Sequence, residues 1–166
     1  NSEEEIGRVF KSYLISYGKN GISKIILKNT IPHINSELNR LLSDSALFIV
    51  VLKITDKNEL GFFMVDNETS VEKPLSSGSG YEKTIASLAL RAVLANVCSL
   101  PKPNIVCFDE VFGKVSDENL ELIGNFFVKI KDYFENIFVI THNSLVKEWS
   151  DNNITVTKTG NVSKIK

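Results

Sequence analysis

Apolar positions recur with a helical period over residues 3–17, at Ile6, Val9, Phe10, Tyr13, Leu14 and Tyr17, which predicts a short amphipathic helix. Gly18-Lys19-Asn20-Gly21 breaks it. A second helix is predicted from about 22 to 42, interrupted at Pro32, with Ile34, Leu38, Leu41 and Leu42 repeating beyond the proline. Residues 48–55 and 61–66 are β-rich runs flanking Asp56-Lys57-Asn58-Glu59, the pattern of a hairpin. A polar loop over 67–79 holds Pro74 and leads into Ser76-Ser77-Gly78-Ser79-Gly80.

The pattern then changes. Residues 81–99 predict a helix with Ile85, Leu88, Ala89, Ala92 and Val93 on one side, ended by Leu100-Pro101. The short apolar run 104–109 suits a buried parallel strand, 116–133 a helix, 136–141 a second buried strand and 144–149 a short helix. Residues 154–157 and 162–165 predict a terminal hairpin around Thr159-Gly160-Asn161. Strand, helix, strand, helix from 104 onward indicates a βαβ unit, hence an α/β fold with a parallel sheet, flanking helices and a short antiparallel hairpin. No internal repeat or obvious domain boundary interrupts it.

Composition narrows the function classes. The 166 residues are 43% hydrophobic, which suits a globular chain with a real core. A net charge of −1 excludes a strongly basic nucleic-acid-binding domain, though not a local basic patch. Lys24 and Lys28 lie one helical turn apart, and Lys129 and Lys131 are close, but a solvated face explains them better than DNA contact. Cys98 and Cys107 lie in apolar surroundings and read as reduced core residues. No stretch has the length and apolarity of a membrane span. The start, Asn1-Ser2-Glu3-Glu4-Glu5, resembles neither a signal peptide nor a natural first residue. Of the 19 basic residues 16 are Lys, and Asn is abundant, as in an A/T-rich genome of a bacterium or its phage.

Four local features carry candidate chemistry. The apolar strand ending in Asp109-Glu110 places two carboxylates where α/β sheets bind ligands. Asp109 could hold Mg²⁺ and Glu110 could polarise a water for attack on a γ-phosphate; the alternative is the start of a solvated loop. The second strand ends at His142, either a polar strand-end residue or a sensor of the γ-phosphate or the attacking water. Ser79-Gly80-Tyr81-Glu82-Lys83 opens a helix whose N-terminus could receive a phosphate, and Ser79 with Glu82 also fits a capping box. Gly113-Lys114-Val115-Ser116-Asp117 is a loop in which Ser116 or Asp117 is expected to cap the next helix. Ser79 and Asp109 are 30 residues apart, and Asp109 and His142 are 33 apart.

This order resembles the C-terminal half of an ABC-type (P-loop) ATPase head. Ser79 to Lys83 looks like the signature motif, Asp109-Glu110 like the Walker B pair, Val115, Ser116 and Asp117 like the D-loop, and His142 like the switch histidine. Glu82-Lys83 followed by Ala86-Ser87-Leu88-Ala89-Leu90 is similar to the signature helix of the SMC-like branch. Residues 21–27 and 31–42 resemble the stretch where the returning coiled coil enters the head of SbcC-type DNA-repair ATPases. Three positions depart from the pattern: Tyr81 stands for the second signature glycine, Val111 for the usual proline, and Ser116 for the usual D-loop aspartate.

The resemblance implies a division at 42, with 1–42 the end and root of the coiled coil and 43–166 the C-terminal lobe. No Gly-x-x-x-x-Gly-Lys-Ser/Thr occurs in the chain, and the resemblance assigns that Walker A loop to an N-terminal lobe sharing the same sheet. The chain is therefore expected to be an ATPase when joined to that lobe and inactive alone. The implied cofactors are ATP and Mg²⁺. The implied partners are the N-terminal lobe, a second head in a homodimer, a nuclease subunit and double-stranded DNA bound without sequence preference, with no membrane. The implied location is the bacterial cytoplasm or nucleoid, or an infected host cell. Ser79 and the helix after it would reach ATP held by the opposite head. The alternative is the head of a structural, chromosome-organising SMC ATPase.

Overall fold

The computed structural model describes residues 2–18, 21–57, 59–113 and 115–165. Lys19 and Asn20 of the first break, Asn58 of the hairpin turn and Lys114 of the D-loop segment lie outside the described residues. Helix α1 spans Ser2–Tyr17 and α2 spans Ile22–Leu42. Pro32 does not interrupt α2, which runs through it. Proline forgoes one helical hydrogen bond, but Ile31, Ile34, Leu38, Leu41 and Leu42 are all buried along one face, and that packing outweighs the loss.

Strands β1 (Phe48–Ile54), β2 (Leu60–Asp66) and β3 (Glu72–Pro74) form an antiparallel sheet in the order β1-β2-β3. The hairpin register pairs Val50 with Met64 and Leu52 with Phe62. The predicted polar loop 67–79 in fact contains β3 and a 3₁₀ turn at Leu75–Ser77; three residues are too few to show a period. The outer edge of β1 is closed by α2. The Asn39 amide donates to the Val50 carbonyl at 2.9 Å and accepts from the Val50 N–H at 2.8 Å. Asn35 treats Leu52 the same way, at 3.0 and 2.8 Å. Two asparagines one turn apart thus stand in for a neighbouring strand, satisfying edge groups that would otherwise be open.

Helix α3 (Gly80–Val97) and α4 (Asp117–Ile130) complete the core with α2. Leu38 of α2, Ile85 and Val93 of α3, and Ile123 and Phe126 of α4 are fully buried, each contributing about 1.5–3 kcal/mol of hydrophobic stabilisation. Helix α4 is the crossover between β4 (Ile105–Asp109) and β5 (Asn136–Ile140), which pair in parallel with Asp109 opposite Ile140. Helix α4 begins one residue later and ends three residues earlier than its pattern suggests.

The two parallel strands depart from the buried strands expected. Phe108 is buried and Val106, Ile137 and Val139 are half-buried against the core, but Ile105, Phe138 and Ile140 on the other face are exposed, at 54%, 51% and 53%. Cys107 shares that face and Cys98 follows the end of α3; both are exposed free thiols, not core residues. Apolar neighbours in sequence do not cover a side chain when the layer on its face is absent. The last predicted helix is a 3₁₀ segment, Leu145–Trp149. Strands β6 (Val156–Thr159) and β7 (Val162–Ile165) form the terminal hairpin, entirely exposed, with Gly160 at φ +62° in its turn. Among the described residues no helix is long and apolar enough to cross a membrane.

Candidate functional site

The parallel register brings the two strand ends together. Beyond the Asp109–Ile140 pair, the Glu110 N–H donates to the Ile140 carbonyl at 2.9 Å. Glu110 then turns out of the sheet with φ +48°, a left-handed conformation that costs a non-glycine residue about 1 kcal/mol or more. His142 Nδ1 lies 2.9 Å from Glu110 Oε2, within ion-pairing distance when the imidazole is protonated. Both side chains are open to solvent.

Asp109 is exposed, and among the described residues its side chain makes no hydrogen bond or ion pair. Its carboxylate is therefore available to a ligand. No group of three or more potential metal ligands occurs among the described residues. A single free carboxylate fits Mg²⁺, which takes most of its shell from water and phosphate oxygens, and does not fit an ion caged by protein.

An aromatic clamp fixes both halves of this site. Trp149 stacks on Phe127 of α4 at 5.4 Å and meets Phe112 edge-on at 5.6 Å. Phe112 lies in the loop just after Glu110, and Trp149 ends the segment just after His142. Gly124 lets α4 approach this closely, since a Cβ there would stand 3.0 Å from Trp149 Nε1. Between His142 and Trp149 the chain is pinned by Asn143 N–H to Thr141 Oγ1 at 3.1 Å and Leu145 N–H to Asn143 Oδ1 at 2.9 Å. The clamp was not read from the sequence; the single tryptophan was its one available signal.

Ser79 and Glu82 form the capping box. The Glu82 N–H donates to Ser79 Oγ at 3.2 Å and the Ser79 N–H donates to Glu82 Oε2 at 2.5 Å. Lys73 stands 3.7 Å from the other Glu82 oxygen. Gly78 makes room, because a Cβ there would meet the Leu75 carbonyl at 3.1 Å. Ser79 and Lys83 are exposed, Gly80 is partly buried, and the first N–H groups of α3 have no partner within the helix. Tyr81 turns the other way: its hydroxyl donates to the Ser45 carbonyl, and burial pushes its pKa up to about 12.

Ser116 occupies the N-cap position of α4, but its side chain makes no capping bond. Its Oγ instead accepts from Asn119 Nδ2 at 3.0 Å, so the side-chain cap expected at Ser116 is not formed. The Val115 N–H closes a turn onto the Phe112 carbonyl at 3.0 Å, and Asp117 is exposed in the first turn. Among the described residues no hydrogen bond or ion pair joins the 79–83 segment to Asp109, Glu110 or His142, so the two candidate regions are not linked by such contacts. Lys129 pairs with Asp44 at 2.7 Å and Lys131 with Asp151 at 3.1 Å, so both serve contacts within the chain.

Fold and site define an α/β lobe in which a strand-end carboxylate pair and a strand-end histidine converge, with a capped helix N-terminus elsewhere. The family described as SbcC/RAD50-like, Walker B motif, matches residues 51–129, the segment holding the 79–83 helix start and Asp109-Glu110. The protein R555 of Acanthamoeba polyphaga mimivirus is 26% identical over 171 residues, covering 95% of this chain and 13% of its own length. The DNA double-strand break repair Rad50 ATPase of Methanocaldococcus jannaschii is 25% identical over 150 residues, covering 90% of this chain and 14% of its own length. A solved structure described as "Structural biochemistry of ATP-driven dimerization and DNA stimulated activation of SMC ATPases" superposes with a TM-score of 0.71 at 18% identity, covering 86% of this chain and 88% of that one. In these comparisons the chain is similar in sequence to part of Rad50-type proteins and in fold to an SMC ATPase structure. The chain spans 13% and 14% of the two curated relatives.

Proposed function

We propose that this chain is the C-terminal, Walker B half of an ATP-hydrolysing head in a DNA-repair ATPase of the SbcC/Rad50 kind. The observation that carries the reading is the 2.9 Å contact of His142 with Glu110 across the ends of two parallel strands. In this reading Glu110 is the general base. A carboxylate at the C-terminal edge of a sheet can take a proton from an attacking water, and in this reading the contact with His142 orients it. Asp109, lacking other partners, would hold Mg²⁺; that ion, when bound, supplies charge neutralisation on the phosphate oxygens.

Residues 1–42 are read as the end and root of a coiled coil and 43–166 as the lobe itself. The exposed apolar face of β4 and β5 supports a missing layer there, and we assign it to the N-terminal lobe that carries the Walker A loop. Ser79 to Lys83 act in trans, on ATP bound by a second head, while Val115, Ser116 and Asp117 face the same junction. ATP then holds two heads together and hydrolysis releases them, gating a nuclease subunit on double-stranded DNA without sequence preference.

The test is hydrolysis by the chain joined to its N-terminal lobe. Glu110→Gln is expected to lower the rate at least about 100-fold with ATP binding retained. An unchanged rate removes Glu110 as the base. A second reading, the head of a chromosome-organising SMC ATPase, draws support from the SMC fold match. It shares this chemistry and separates at the coiled-coil apex, where a hinge domain would replace a Cys-x-x-Cys zinc hook.

A further inference from the structure

The signature-like segment departs from its resemblance at Tyr81, and the structure gives that side chain a defined task. Tyr81 is the second residue of α3, its ring packs partly buried against the core, and its hydroxyl donates to the backbone carbonyl of Ser45. Ser45 is fully buried in the short turn between α2 and β1, with its N–H bonded to the Leu42 carbonyl at 2.9 Å. A glycine at 81 could make none of this connection.

The same turn also receives α4. Lys129 Nζ reaches Ser43 Oγ at 2.5 Å and Asp44 Oδ2 at 2.7 Å, and Asn125 Nδ2 donates to the Asp44 carbonyl at 3.3 Å. One turn at the end of α2 therefore holds the start of α3 on one side and the body of α4 on the other. These are the two helices whose N-termini carry Ser79 and Ser116. The phenol of Tyr81 stays protonated across the physiological range, so it remains a donor throughout.

We propose that Tyr81 is a positioning residue: its hydroxyl ties the first turn of α3, and with it Ser79, to the turn that closes α2, so that the trans-acting helix end keeps its orientation relative to α2. This rests on the reading of Ser79 to Lys83 as a segment that engages a second head.

The experiment uses the full-length protein with Glu110→Gln to block hydrolysis, and compares parent, Tyr81→Phe and Ser79→Arg. ATP-driven head association is measured by sedimentation, ATP affinity under conditions where heads stay apart by fluorescence titration, and thermal midpoint by calorimetry. Tyr81→Phe keeps the ring and removes one hydrogen bond, so association is expected to weaken about 3- to 10-fold, with single-head ATP affinity within about twofold of the parent. Ser79→Arg is expected to abolish association. If Tyr81→Phe associates like the parent while Ser79→Arg does not associate, Tyr81 is a packing residue and the proposal falls, whatever happens to the thermal midpoint. If Ser79→Arg associates normally, the trans reading falls first and takes the proposal with it.

Discussion

The antiparallel sheet β1-β2-β3 and the parallel pair β4-β5 meet the same problem, strands with open edges and faces, in opposite ways. At β1 the inward residues Val50 and Leu52 are 1% and 2% exposed, and the edge is closed by Asn35 and Asn39 from within the chain. At β4 and β5 one face packs on α4 while the other leaves Ile105, Phe138 and Ile140 in solvent. Exposed apolar side chains grouped on one strand face next to candidate catalytic residues are what an interaction face would present. The first sheet is finished by local chain; the second presents a surface and a candidate site together. The candidate site residues Asp109, Glu110 and His142 all lie at the unfinished end.

Three measurements sharpen this contrast. The largest effect on the chain's own stability is expected at the closed edge. Asn39→Leu leaves the Val50 N–H and carbonyl without partners and should cost about 2–4 kcal/mol in urea unfolding. A loss below about 1 kcal/mol would mean that water satisfies this edge and the asparagines do not close it.

The next concerns the polar ties between helices. Tyr133 donates to Glu37 Oε2 at 2.7 Å and accepts from Arg40 at 2.5 Å. Burial first, then the Glu37 contact, pushes its pKa up to about 12, and burial does the same to Tyr81. Ordinary phenols, as in the unfolded chain, ionise near pH 10. The unfolded chain therefore releases these protons first, so the stability they contribute is present below about pH 10 and is lost between pH 10 and 12. Chemical denaturation across that window should show the decline, and the double variant Tyr81→Phe, Tyr133→Phe should flatten it. A slope unchanged in the double variant would assign the alkaline loss to other groups.

The smallest effect is expected on the open face. Phe138→Lys should change the stability of the isolated chain by less than about 0.5 kcal/mol, because the side chain is already half in water. The same substitution should prevent assembly with the Walker A lobe in a pull-down. A large stability loss in isolation would show that this face is closed by the chain itself.

Much of the site was legible in the sequence because its signals are local. An apolar run ending in Asp109-Glu110, another ending in His142, and a Ser-x-x-Glu step into a helix each occupy a few consecutive residues. The parallel arrangement follows from the alternation of strand and helix. The tertiary ties were not legible: Asn35 and Asn39 look like ordinary polar helix positions, Tyr81 like a substitution in a motif, and Trp149 only like the last residue of a short helix. Their partners lie 11, 17, 36 and 37 residues away along the chain, beyond the reach of any local pattern. Pro32 misled for the same reason, since a local helix breaker was overruled by burial of the residues around it.

The sequence alone therefore determined the order of the longer helices and strands, the helix cap at Ser79 and the residue types at the two strand ends, all set by short-range propensity and period. Only the tertiary structure decided that Glu110 meets His142, that α2 closes the edge of β1, and that one face of β4 and β5 stays bare. Each depends on register and on which surfaces the packed helices cover, which are properties of distant segments brought together in space.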